Sequence, residues 1–234
     1  MKVGVIGLGL IGGSILKALS GFDYELFAVS KSSYNKASEY AQSASDNINI
    51  IKDCDVIFVC QEMQNTLKTL EKLNTVVSET AIVADVSSVK SFLINQKFNY
   101  NFISSHPMAG KEKTGFEASS EDLFENAYWI LEKNNKILED LILKMKAKPI
   151  VIDSIEHDKA TALISHLPLI TSIALFNIAS KNNTAMKLAS SGFRDMTRLS
   201  AGSPNMTADI LEYNFKNIEA GLEALYDDLT SLKN

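Results

Sequence analysis

From residue 2 to about 152, short β-branched runs alternate with segments of helical spacing, the pattern of a parallel sheet with crossover helices. The runs are Val3 to Ile6, Leu26 to Val29, Val56 to Cys60, Ala81 to Val86, Phe102 to Ser105, Tyr128 to Leu131 and Ile150 to Ile152. Between the third and fourth, Met63, Leu67, Leu70 and Leu73 recur at helical spacing and place one apolar stripe on the sheet. The first domain, residues 1–152, is therefore expected to be α/β.

After Asp153 the alternation stops, and residues 153–234 read as a helical domain. Leu163, Leu167, Ile170 and Ala174 mark a long helix, and Pro168 inside it predicts a kink, because proline lacks a backbone donor and clashes with the preceding turn. Further on, Leu211, Phe215, Ile218, Leu222, Leu225, Leu229 and Leu232 alternate steps of four and three. Such a seam packs either inside its own domain or against a second copy of the chain, and its length favours a subunit interface.

Composition narrows the partners. With 46% apolar residues the chain can bury a substantial core, and a net charge of -5 offers no electrostatic footprint for nucleic acid or an anionic membrane. No leader pattern and no bilayer-length apolar run is apparent, which predicts a cytoplasmic protein acting on a small molecule. Cys54 and Cys60 have neither redox nor zinc spacing and read as reduced and structural.

Chemistry begins with Gly7-Leu8-Gly9-Leu10-Ile11-Gly12. A GxGxxG alone is weak, but this one directly follows an apolar strand and opens a helix through Ile15, Leu16 and Leu19. Gly7 permits the tight turn, Gly9 lets the backbone approach a pyrophosphate, and Gly12 lets helix and strand pack closely; the phosphates rest on N–H groups at the helix N-terminus. The acidic residue that holds the ribose of NAD at the end of the second strand is missing. Ser30-Lys31-Ser32-Ser33 stands there instead, hydroxyls around one cation, which favours the 2′-phosphate of NADP over NAD.

Ligands in open α/β sheets bind beyond the carboxyl ends of the strands. Ser87 and Ser88 follow the fourth run, and His106 follows the fifth, held by Pro107. A histidine in that place is a candidate acid/base group, with a loop-anchoring role as the alternative.

Five motifs in chain order, GLGLIGGS at residues 7–14, DVSSVK at 85–90, SHPMAG at 105–110, SHLP at 165–168 and GFRDMTR at 192–198, make the sequence resemble the prephenate and arogenate dehydrogenases over nearly its whole length. The resemblance implies a Rossmann dinucleotide-binding domain followed by a helical dimerisation domain. It implies oxidative decarboxylation of a cyclohexadienol in tyrosine biosynthesis, with hydride passing to NAD or NADP, no metal, and a homodimer. His106 would take the proton of the ring hydroxyl and Ser88 would contact the same hydroxyl. Arg198 would bind the substrate carboxylate, with Glu112 and His166 as further substrate-site residues, Glu112 near the mouth of the site and His166 beside the cleft, more as support than as proton carrier. His157 and His166, nine residues apart, fall on opposite helical faces at about 100° per residue and cannot form a metal pair.

Some positions depart from that pattern. Lys111 stands where threonine is common, Leu169 where many prephenate-specific members have histidine, and Thr207 where some have tryptophan, so the choice between prephenate and arogenate stays open. Gln61-Glu62 replaces a frequent Thr-Pro beside the cofactor. A β-hydroxyacid dehydrogenase with a catalytic lysine, from Lys159, Lys181 or Lys187, is one rival reading; a redox-sensing NAD(P)-binding module without turnover is another.

Overall fold

Alternation decides the first unit, Met1–Ser154. In the computed structural model, which describes residues 1–111 and 113–232, strands β1 (Lys2–Ile6), β2 (Glu25–Val29), β3 (Ser43–Ser45), β4 (Val56–Val59), β5 (Ile82–Asp85) and β6 (Asn101–Ile103) form one sheet. Its order is β3-β2-β1-β4-β5-β6 and every pair is parallel, the doubly wound Rossmann arrangement. Successive side chains on a strand face opposite ways. Val3, Val5, Val56, Phe58, Ile82 and Ala84 thus join one core, with Ile15, Leu16 and Leu19 of helix α1 (Leu10–Leu19). Ile57, Val59 and Val83 join the other, with Leu70 and Leu73 of α3 (Met63–Leu73), which follows the short α2 (Tyr34–Ala37).

A second, three-stranded sheet completes the unit. Its strands β7 (Ser105–Pro107), β8 (Tyr128–Leu131) and β9 (Lys148–Val151) run antiparallel between the first two and parallel between the last two, with α4 (Lys136–Lys144) as the crossover. The run Phe102 to Ser105 is therefore not one strand. Its first part pairs with β5 as far as Ala84↔Ile103, and the chain then changes sheets. His106 consequently lies inside β7, opposite Ile130, rather than after a strand as the pattern suggested.

The second unit, Ile155–Asn234, holds no strand among the described residues. Its boundary falls close to the one expected at residue 152. Helices α5 (Ser154–Thr161) and α6 (Leu167–Ala179) are joined by a π-helical turn, Ala162–His166. The wide turn comes just before Pro168, where a missing donor and a bulky ring disfavour regular α geometry, so the expected kink takes this form. Then come α7 (Asn183–Lys187), α8 (Ser191–Thr197), a 3-10 turn at Arg198–Ala201 and the long α9 (Pro204–Ser231). Ser203 caps α9 by accepting from Met206 N–H, and the helix breaks at Asn214 (φ -127°, ψ 16°).

Of the seam on α9, Ile218 is buried while Phe215, Leu222, Leu229 and Leu232 are exposed, so the seam does not pack within its own chain. The buried stripe is displaced to Ile210, Asn214, Ile218 and Gly221. The stretch Ser154–Ala179 is, by length and composition alone, long and apolar enough to cross a membrane, contrary to the sequence reading; its polar residues are spaced widely enough to hide a continuous uncharged window.

Candidate active site

The glycine turn forms as the sequence requires. Gly7 has φ +91°, and a Cβ there would lie 2.2 Å from the Cys60 carbonyl oxygen; at Gly12 it would lie 1.9 Å from the Gly7 carbonyl oxygen. Neither position has room for a side chain. Gly9 is different, since a Cβ there would meet nothing within 4 Å. It is also the N-cap of α1, with no side-chain hydrogen bond to the first turn, in which Leu10 and Ile11 are partly exposed while Leu8 before them is buried. An uncapped helix start beneath an open approach fits a dinucleotide pyrophosphate, for which backbone donors and the helix dipole are suited.

At the end of β2, Ser30 N–H bonds the Ser45 carbonyl, and Ser30 Oγ accepts from Ser33 N–H at 3.2 Å, shaping a tight turn that leaves Lys31 exposed. Burial pushes the Cys54 thiol up to about 12, and burial followed by the nearby Asp85 charge pushes Cys60 up as well, which agrees with inert cysteines.

The ends of β5 and β6 carry a buried polar network that sequence reading did not assign. Asp85 Oδ1 accepts from Ser105 N–H at 3.0 Å and from Ser104 Oγ at 3.3 Å, while Oδ2 accepts from Ser87 N–H at 3.0 Å and Lys90 Nζ at 2.6 Å. Lys90 Nζ also donates to the Ser105 carbonyl at 2.6 Å. Ser105 Oγ donates to the Asp85 carbonyl at 2.6 Å and accepts from Trp129 Nε1 at 3.1 Å. Two charged residues in an otherwise apolar stretch were the available signal. The network ties the segment bearing half-buried Ser88 to the strand bearing half-buried His106. Between them the buried Ser87 hydroxyl has no protein partner, an orphaned polar atom beside the nucleotide end of the sheet.

Past His106 the chain returns to α1. Ser120 N–H bonds Ser14 Oγ at 3.1 Å, Lys17 Nζ donates to the Ser119 carbonyl at 2.9 Å, and a Cβ on Gly13 would come within 2.6 Å of Ser119 Oγ. Glu112 lies outside the described residues.

In the second unit Arg198 opens the 3-10 turn that packs along α6, where Ser200 N–H bonds Ser172 Oγ at 3.0 Å. His166 is 1% exposed. Asn214 Nδ2 donates to the Asp158 carbonyl at 2.8 Å and lies 3.0 Å from His166 Nδ1, while Asn214 Oδ1 accepts from Asn217 Nδ2 at 2.7 Å. The Asp158 and Asn217 bonds fix which end of the amide donates, so His166 Nδ1 is an acceptor and its ring is neutral. Burial pushes its pKa down to about 4, with Asp158 opposing and His157 assisting. The ring is thus held in the interior of the helical unit, away from the substrate contact that the sequence suggested for it. His157 is also buried, 2.8 Å from Asp158. Lys159, Lys181 and Lys187 are all exposed. No cluster of three metal-ligating side chains occurs among the described residues.

Two family models divide the chain at the same place as its two units. Residues 16–151 match the nucleotide-binding domain of prephenate dehydrogenase, and residues 153–234 match the dimerization domain of prephenate dehydrogenase. The chain belongs to the prephenate dehydrogenase family. A prephenate dehydrogenase of Lactococcus lactis subsp. cremoris is 31% identical over 229 residues, covering 91% of this chain and 65% of the relative, so the chain spans less than two thirds of that relative's length. Among solved structures, Synechocystis arogenate dehydrogenase is 33% identical with TM-score 0.84, covering 99% of this chain and 90% of its own. A prephenate dehydrogenase from A. aeolicus in complex with hydroxyphenyl propionate and NAD+ is 25% identical with TM-score 0.88, covering 100% and 89%. The region matched to the nucleotide-binding domain begins at residue 16, past the glycine turn.

Proposed function

We propose that this chain is a nicotinamide-dependent dehydrogenase of tyrosine biosynthesis that oxidatively decarboxylates prephenate or arogenate in the cytoplasm. The observation that carries the reading is the Asp85 network, which ties the Ser88 segment, at the end of a strand in the sheet whose first turn suits a dinucleotide, to the His106 strand of the second sheet. When bound, the nicotinamide supplies the hydride acceptor. His106 takes the proton of the substrate's ring hydroxyl at an imidazole nitrogen, and Ser88 hydrogen-bonds the same hydroxyl and orients it. Arg198 pairs with a substrate carboxylate, for which a guanidinium fork is the fitting donor set. Loss of carbon dioxide leaves an aromatic ring, so the protein's work is orientation and one proton transfer. The rival lysine-based dehydrogenase draws no support from a motif around Lys159, Lys181 or Lys187.

Ser30 and Lys31 are the proposed 2′-phosphate contacts, favouring NADP. A second copy of the chain is the proposed partner, supported by the exposed apolar side chains of the helical unit: Ile164, Ile178, Leu188, Phe215 and Leu229 are each at least 50% exposed. The deciding experiment supplies prephenate and arogenate separately, each with NAD and with NADP, and follows reduced cofactor and aromatic product together. Turnover of at least one substrate is expected; none with any pairing overturns the reading. Preference for NAD would remove the role given to Lys31.

A further inference from the structure

Asp85 and Lys90 touch no reacting atom in the mechanism above, yet their side chains are 0% and 2% exposed and 2.6 Å apart. A buried ion pair is a poor way to gain stability, because desolvating both charges offsets most of their attraction. What this pair holds is one peptide unit on each side of Ser105. Asp85 receives the Ser105 N–H and Lys90 donates to the Ser105 carbonyl, while the Ser105 hydroxyl returns a bond to the Asp85 main chain.

The location explains the need. The β5–β6 ladder ends at Ala84↔Ile103, and from Ser105 the chain pairs with β8 in the other sheet. A strand that leaves a ladder abandons its backbone partners, and here the abandoned groups are buried, where each must be satisfied. The carboxylate of Asp85 and the ammonium of Lys90 stand in for the missing strand. The residue immediately after this junction is His106. We propose that Asp85 and Lys90 are positioning residues for His106: they fix the point at which the chain changes sheets and thereby the place of the imidazole. Because the two charges neutralise each other, the clamp sets position without adding net charge. This rests on the assignment of His106 as proton acceptor.

Lys90→Met removes the bond to Ser105 while keeping side-chain length. The variant should fold by circular dichroism and bind cofactor as the parent does, and its kcat should fall about 100-fold, the scale of a misplacement of about 1 Å in a catalytic group. A variant that merely lost stability would lose active fraction without a change in the histidine's surroundings. The second readout is therefore the C2–H resonance of His106 in the ligand-free protein, identified among three histidines by its absence in His106→Asn; it should move in Lys90→Met. Parental kcat with an unmoved resonance overturns the proposal. If Lys90→Met does not fold, the double variant Asp85→Asn/Lys90→Met, which buries no unpaired charge and still lacks the bond to the Ser105 carbonyl, is read in the same way, with at least about a tenfold fall in kcat expected and an unmoved resonance again decisive. A parent protein that turns over neither substrate defeats the functional reading instead, and the resonance alone then decides whether the pair positions His106.

Discussion

The two units solve the problem of burial in opposite ways. In the nucleotide-binding unit the apolar side chains are inside: two continuous clusters flank the sheet, with Trp129, Phe58 and Phe124 essentially inaccessible and Trp129 packed edge-on against Phe58 at 6.0 Å. In the helical unit the interior is largely polar, with His157, Asp158, Thr161, His166, Ser172, Thr197, Asp209 and Asn214 buried beside Ala162, Leu169, Ile210 and Ile218. Its large apolar side chains are outside. The first unit is finished by its own chain. The second keeps a hydrogen-bonded interior and leaves large apolar side chains exposed, the surface on which the proposed second copy would pack.

That contrast can be broken at its strongest point first. Phe58→Ala opens a cavity between the sheet and Trp129 and should cost about 3–5 kcal/mol in denaturant titration. A cost below about 1 kcal/mol would mean that the first unit is not self-sufficient. The functional split is next in size. His106→Asn in the first unit should lower kcat by about 10³-fold with cofactor affinity preserved, whereas Arg198→Gln in the second should mainly raise the substrate KM; an unchanged KM would remove the carboxylate role from Arg198.

The polar interior predicts a pH response. His166 titrates at about 4 in the folded protein against 6.5 ordinarily, so between those values the unfolded chain binds a proton that the folded chain refuses. Stability from this group is complete above about 6.5 and falls as pH drops towards 4, by about 2 kcal/mol between pH 7 and pH 5. Urea midpoints at the two pH values check this, and His166→Gln should remove that part of the slope. The smallest expected effect concerns the outer face. Leu222→Glu on the seam should weaken self-association by about 30-fold, roughly 2 kcal/mol or less, in sedimentation equilibrium. An unaltered mass distribution would show that the seam is not the interface.

Much of the first unit was legible because strands and helices write their periods locally. The glycine turn was legible from its place between an apolar strand and a helix, whereas the group that excludes a side chain at Gly7, the Cys60 carbonyl, is brought there by the fold. The seam on α9 was legible as a pattern but not as a location, because a heptad stripe looks the same whether its own chain or another covers it. The Asp85–Lys90 pair was visible as letters in a motif without a role. Its meaning depends on Ser105, brought to it by the fold from a distant point in the chain.

By itself the sequence determined the parallel-sheet first domain and the helical second one, because each is carried by spacing along the chain, and it offered the glycine turn and His106 by position and Ser88 and Arg198 through the family resemblance. Only the tertiary structure decided that His106 lies within a strand of a second sheet, that a buried ion pair holds the junction before it, and that His166 serves the interior. Those outcomes depend on which backbone groups lose their partners when elements come together, and hydrogen-bond satisfaction across long separations leaves no periodic trace in the chain.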